Sequence, residues 1–217
     1  GVEICEDLWA TTPPSSALAE GGATLILNLS ASNELVGKAA YRRSLVSGQS
    51  GRLVCGYVYA DAGEGESTTD LVFAGHNMIA ENGVILAERR FATGLTISEI
   101  DVGRLSYERR RMNTFTAWRG KEEIWRSTFS LAAGDTRLTR PVSPTPFVPQ
   151  DETDRAARCN EILCIAALGL KKRLEHTGAK TAVVGLSGGL DSTLAVLITA
   201  LAMQMLRRPA EDIIAVT

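Results

Sequence analysis

The sequence predicts an α/β protein in two parts: a layered α/β first part, then the opening strand, loop, helix and strand of a doubly wound parallel sheet. Three observations carry this reading. Short runs rich in apolar and β-branched residues alternate with helical segments up to about position 111. Pro141, Pro144, Pro146 and Pro149 then crowd one short stretch, each removing a backbone donor and biasing its predecessor toward extended conformations. Beyond it, the buried-strand run Thr181 to Leu186 leads through a glycine-rich loop into a long apolar helix.

Taken in order, Val2 to Ile4 makes a short apolar approach to Cys5. Strands are expected over Ala23 to Leu29, Arg52 to Ala60, Gly75 to Ala80 and Gly83 to Ala87, the last two joined at Asn82-Gly83, a strong hairpin-turn signal. Helices are expected around Pro14 to Glu20, Gly37 to Gln49 and Val102 to Arg111. The proline-rich linker follows, giving a division into 1–135, a linker 136–153, and 154–217. After it, Thr153 to His176 carries Ile162, Ile165, Ala166, Leu168 and Leu170 at helical spacing and stops at Gly178. Leu190 to Leu206 reads as a second helix and Ile213 to Val216 as a strand.

Composition narrows the function classes. The 217 residues include 23 basic and 25 acidic side chains, a formal net charge of −2, without the basic excess of a chain that lives on nucleic acid. The longest apolar run, Leu194 to Leu206, is interrupted by Thr199 and Gln204 and is too short and polar for a membrane span. Four cysteines without a CxxC pair suggest free thiols in a reducing cytoplasm rather than a disulfide scaffold or a metal cluster. No initiator methionine or secretory signal opens the chain and Asp212 to Thr217 stops on a strand, so a piece of a larger protein is expected.

The loop Gly185-Leu186-Ser187-Gly188-Gly189-Leu190-Asp191-Ser192 holds the clearest chemistry. It lies at the carboxyl end of an expected strand and opens a helix, where unpaired N–H groups and the positive end of the dipole face an anion. Paired glycines let the backbone approach phosphate oxygens, and Ser187 and Ser192 add hydroxyls. The absence of a Gly-Lys-Ser/Thr step sets it apart from the common nucleoside-triphosphatase loop. Without a loop lysine, charge neutralisation falls to Mg²⁺ with Asp191 nearby. The bland alternative is a glycine-rich turn in which serine and aspartate merely cap the helix.

Cys5, at a strand end, is a candidate nucleophile. Glu6 and Asp7, if close to the sulfur, would disfavour the thiolate, so an active Cys5 needs a cation or base from elsewhere. His76 and His176 do not supply it, and by residue type alone Cys5 better suits a packed small apolar side chain. Glu64 and Glu66 read as a polar loop, Trp118 and Trp125 as packing residues, and Arg109-Arg110-Arg111 as a solvated helix end, with an interdomain or oligomer contact as the alternative.

Two resemblances join these features. GLSGGLDS resembles the SGGxDS motif of the N-type ATP pyrophosphatases, which hold the β- and γ-phosphates as a leaving unit while a substrate oxygen attacks the α-phosphorus. GVEICEDLW is similar to the nucleophile region of the nitrilase superfamily; NLSASNELVGK from Asn28 to Lys38, Tyr41-Arg42-Arg43, and AGEGESTTDLVFAGHNMIAENG from Ala62 resemble its branch in glutamine-dependent NAD⁺ synthetases.

The resemblance implies the C-terminal part of a nitrilase-like α-β-β-α sandwich over 1–135, followed by the first β-loop-α-β of an adenine nucleotide alpha-hydrolase-like sheet. It implies that Cys5 attacks glutamine's side-chain amide, with Ser32 and Lys38 as glutamine contacts and Gly185 to Ser192 as the ATP loop. The ammonia released would amidate deamido-NAD⁺ adenylated by ATP with Mg²⁺, in a cytoplasmic homo-oligomer acting on small molecules. The family's glutamate base and lysine would precede Gly1, and most of the deamido-NAD⁺ site would follow Thr217, so the chain alone is expected to make no NAD⁺. The open alternatives are a non-catalytic assembly or binding module that retains relic motifs, and another glutamine-dependent ATP-pyrophosphatase amidotransferase.

Overall fold

A computed structural model describes residues 1–115, 124–132, 134 and 136–217. These form two compact units, Gly1–Pro141 and Val142–Thr217, with the boundary inside the proline-rich segment.

The first unit is built on one mixed sheet of strands β1 (Val2–Ile4), β2 (Leu25–Ser30), β3 (Gly56–Asp61), β4 (Asn77–Glu81) and β5 (Val84–Arg89), adjacent in that order. β1, β2 and β3 run parallel, and β4 and β5 return antiparallel. Helices α1 (Pro14–Glu20), α2 (Lys38–Leu53) and α3 (Val102–Arg111) complete the unit.

Strand alternation sorts the sheet into two faces. One is fully buried through Glu3, Ile26, Asn28, Tyr57, Tyr59 and Met78, and merges with Leu8, Ala19, Val46 and Leu53 into the core. The other carries Val2, Ile4, Leu27 and Leu29 exposed. The helical segment expected from Gly37 continues through Arg52 and Leu53, which the sequence assigns to the next strand. It ends at Val54 in a left-handed conformation (φ 46°), an unusual C-cap that leaves no glycine signal. Asn82 and Gly83 both take positive φ (46° and 87°), the turn that the Asn-Gly step demands.

In the second unit, α4 (Glu152–Thr177) is capped at its start by Asp151, whose carboxylate accepts from Asp154 N at 3.0 Å, and stops at left-handed Gly178. Strands β6 (Ala182–Gly185) and β7 (Ile213–Val216) pair in parallel, with α5 (Leu190–Met205) between them in the chain. Ala167, Leu174, Ala202 and Met203 are the buried apolar residues of the two helices.

The predicted α/β class and element order are observed. Two details are corrected. Trp125 is 89% exposed, because residues 124–132 form no regular element that would pack it, while Trp118 lies outside the described residues. Arg109 is not a solvated helix end: its Nε donates to Leu53 O (3.1 Å) and Val54 O (3.0 Å), satisfying the end of α2, and its guanidinium lies 4.8 Å from the Phe115 ring centre. Burial lowers its pKa, opposed by Cys55. Arg110 and Arg111 are exposed as expected. No helix among the described residues is long and apolar enough to cross a membrane.

Candidate functional site

The parallel register brings three strand ends together. Ile4 pairs with Leu29, and Ser30 with Asp61, so Cys5, the segment from Ser30 to Ser32, and Asp61 all lie at the carboxyl ends of β1, β2 and β3. That edge is where open α/β sheets present their ligand sites.

Cys5 begins a 3₁₀ turn, Cys5–Trp9, and holds a left-handed backbone (φ 49°) rare for a residue with a side chain. A strained residue of this kind persists only where its surroundings enforce it. Here, Asp7 Oδ2 accepts from Ile4 N at 2.7 Å, tying its carboxylate to the backbone, while Glu6 is exposed. Below the turn, buried Glu3 accepts from Ser15 N (2.8 Å) and from the Tyr57 hydroxyl. That hydroxyl accepts in turn from Asn28 Nδ2 (3.2 Å), which also reaches Cys5 O at 3.5 Å. Asn28 Oδ1 takes a bond from Ser30 Oγ at 2.7 Å. Burial and the bond to Glu3 push the Tyr57 hydroxyl far above its ordinary range, so it remains a donor.

Ser32 is buried, with its N–H donating to Asp61 Oδ1 at 2.8 Å. Lys38 Nζ donates to Asn33 O and Oδ1, each at 2.9 Å, and lies 5.5 Å from the Trp9 ring centre, beside the cysteine turn. Asp61 titrates above its ordinary range because burial outweighs the backbone bond from Ser32 and the charge of Arg42. A cleft of about 760 Å³ opens against Asp61, Phe73 and Phe91 and one of about 330 Å³ against Trp9 and Tyr41; Cys5, Ser32 and Lys38 line neither. His76 is not directed at Cys5. Its Nδ1 accepts from Arg42 Nη1 (2.9 Å), which leaves Nε2 to donate to Glu88 Oε1 (2.8 Å).

Asp61 and, as a polar partner of this strand end, Glu3 are given no role by the motif reading, which includes Asn28 and Arg42 only within stretches of resemblance. Asn28 and Glu3 did leave a signal, each being a polar residue in an apolar strand. Arg42 was visible only as part of Tyr41-Arg42-Arg43, and its burial was not, since an arginine in a helix reads as solvated.

In the second unit, Gly188 takes φ +81° between β6 and α5, and no atom would meet a Cβ built there. Ser187 Oγ lies 3.3 Å from Ser192 Oγ, and Ser192 Oγ and Thr193 Oγ1 both donate to Gly189 O at 3.0 Å. The loop from Ser187 to Asp191 is exposed, and the first N–H groups of a helix such as α5 lack intrahelical partners. Asp191, in the first turn of α5, is the loop's carboxylate. No cluster of three or more His, Cys, Asp or Glu among the described residues could hold a metal by itself.

The class this defines is an α/β protein whose chain carries a strained strand-end cysteine and a glycine-rich strand–loop–helix turn. The family model described as NAD synthase matches residues 163–216. The chain is 44% identical to the glutamine-dependent NAD(+) synthetase of Mycobacterium tuberculosis (strain ATCC 25618 / H37Rv), over 99% of this chain and 33% of the relative. It is also 44% identical to that of Mycobacterium leprae (strain TN), over 100% of this chain and 33% of the relative. A solved glutamine-dependent NAD⁺ synthetase from Acinetobacter baumannii, in complex with ADP, superposes with a TM-score of 0.44 at 24% identity, covering 99% of this chain and 32% of that one. The chain is thus similar over its whole length to part of the glutamine-dependent NAD(+) synthetases and spans about a third of the length of the relatives it matches.

Proposed function

We propose that this chain is the segment of a glutamine-hydrolysing NAD⁺ synthetase that carries the glutaminase nucleophile and the ATP loop. The observation that carries the reading is the identity of 44% over essentially the whole chain to enzymes of that name, spanning both Cys5 and the glycine-rich loop. The left-handed backbone at Cys5 supports it, because this conformation projects a side chain from a strand end toward a ligand.

In this reading the Cys5 thiolate attacks the glutamine side-chain amide, ammonia leaves, and water hydrolyses the thioester to glutamate. Ser32 and Lys38 hold the glutamine, with Lys38 offering its ammonium as a point charge to the substrate carboxylate. At the other site, a carboxylate oxygen of deamido-NAD⁺ attacks the α-phosphorus of ATP and pyrophosphate leaves. Ammonia then attacks the acyl carbon and AMP departs. Adenylation is needed because a carboxylate offers ammonia no adequate leaving group. Residues Gly185 to Ser192 cradle the departing pyrophosphate with backbone N–H groups and the Ser187 and Ser192 hydroxyls. Mg²⁺ is held mainly by phosphates and water with one or two carboxylates, so Asp191 alone on this loop fits that ion. The proposal extends to a homo-oligomer in the cytoplasm.

The test is kinetic, in the full-length protein. Cys5→Ala should abolish NAD⁺ formation driven by glutamine and preserve formation driven by ammonium chloride, with AMP and pyrophosphate released in equal amounts. Glutamine-driven synthesis surviving in Cys5→Ala, or ADP in place of AMP, would overturn the reading.

A further inference from the structure

We propose that Arg42 is a positioning residue for the glutamine site, fixing the loop that carries Ser32 and leads into Lys38 at the start of α2; this rests on the reading of Cys5, Ser32 and Lys38 as that site. The Arg42 side chain is 0% exposed. Its Nη2 donates to Ser32 O (3.3 Å), Ser32 Oγ (3.1 Å) and Asn33 O (3.4 Å). Its Nη1 donates to Glu34 Oε1 (2.5 Å) and to His76 Nδ1 (2.9 Å). One guanidinium thus grips successive residues of the loop after β2.

Asp61 holds the same loop from the other side. Its carboxylate is also 0% exposed; Oδ1 accepts from Ser32 N, while Oδ2 stands 3.9 Å from Arg42 Nη1. Ser32 is therefore fixed at its N–H, its carbonyl and its hydroxyl by two buried charged groups. Lys38 joins the arrangement through Asn33, whose carbonyl accepts from both Lys38 Nζ and Arg42. Glu34 closes it, binding Arg42 and Arg90 with its carboxylate and donating its N–H to Val72 O at 2.7 Å.

Stability alone gives little reason for such a cluster, since a well-packed apolar replacement is often as stable as a buried ion pair. A planar fork with several fixed donors instead specifies geometry, which lysine cannot reproduce. Ser32 sits on the loop so specified and Lys38, at the first position of α2, is tied to it through Asn33; a displacement of about 1 Å in such contacts can cost on the order of a hundredfold.

The experiment uses the full-length protein with Arg42→Lys and, as a second variant that keeps volume, Glu34→Gln. NAD⁺ formation is measured with glutamine and, separately, with ammonium chloride. The expected result is a rise of about 10–100-fold in KM for glutamine, with the ammonium-driven rate within about twofold of wild type. An unchanged glutamine KM, or parallel loss of both activities, overturns the positioning role. If Arg42→Lys does not fold, Glu34→Gln decides by the same criteria. Wild-type protein that uses ammonium but hydrolyses no glutamine overturns the underlying reading of Cys5 instead, and so separates the two failures.

Discussion

Tyr57 and Tyr59 sit two residues apart on the same buried face of β3, yet their hydroxyls should count very differently. Tyr57 donates to Glu3 and accepts from Asn28 Nδ2, whereas the Tyr59 hydroxyl is buried without a hydrogen bond of normal geometry, although it lies beside Ser30 and Ser32. Tyr57→Phe keeps the ring and removes the hydroxyl, leaving the buried Glu3 carboxylate with Ser15 N and Asn28 Nδ2 with only the 3.5 Å contact to Cys5 O. Leaving buried polar groups unsatisfied costs about 1–3 kcal/mol each, so a loss of about 2–3 kcal/mol is expected. Tyr59→Phe removes a buried hydroxyl that lacks a partner and with it the desolvation cost carried in the folded state, so the change should be neutral or stabilising, by up to about 1 kcal/mol. Trp9, Trp118 and Trp125 all fall within Gly1–Pro141, so tryptophan fluorescence during urea unfolding of the 217-residue chain follows the first unit. Equal losses in the two variants, or a larger loss in Tyr59→Phe, would refute the hydrogen-bond chain beneath Cys5.

Three further outcomes are expected. Gly48 and Gly51 both lie in α2, but a Cβ at Gly48 meets nothing while one at Gly51 comes within 3.3 Å of the Gly83 backbone. Gly48→Ala should therefore stabilise by about 0.5–1 kcal/mol and Gly51→Ala should destabilise, read by the same urea transition. Gly188→Ala meets open space but must hold φ +81°, so the protein should fold while calorimetric ATP affinity of the full-length protein falls by about tenfold or more; unchanged affinity would count against the loop's role. Burial opposes ionisation of Glu34 and Glu88, yet the bonds from Arg42 and Arg90, and from His76 and Arg43, hold both below their ordinary value of 4.5. Their stabilisation is complete above that value and is lost as pH falls through the depressed values, while Asp61, raised from 3.8, acts in the opposite sense. Urea midpoints should drop on acidification below about pH 4.5, and less steeply in Glu34→Gln.

Local chemistry made much of the fold legible. Pro14 at the first position of α1, the Asn82-Gly83 turn and the Gly178 cap each need a specific backbone geometry, and each element was found where these residues put it. The parallel pairing of β1, β2 and β3 was not legible, because it joins segments more than twenty residues apart through backbone bonds that side-chain patterns do not encode. The end of α2 was misplaced for a related reason: Gln49-Ser50-Gly51 looks like a break, whereas Gly51 serves a close approach to the hairpin and Arg109 satisfies the terminal carbonyls from a distant helix. Of the candidate site, Cys5 and the glycine-rich loop were visible as motifs. The support around them, Glu3, Asn28, Arg42 and Asp61, emerges only when the register stacks the strand ends together.

The central claim is that Cys5 becomes acylated by glutamine. Full-length protein mixed with glutamine, quenched in acid and digested, should yield the Cys5 peptide heavier by a glutamyl group, and Cys5→Ala should yield no such adduct. A glutamyl adduct on another residue, or glutamine hydrolysis that persists in Cys5→Ala, would contradict the account.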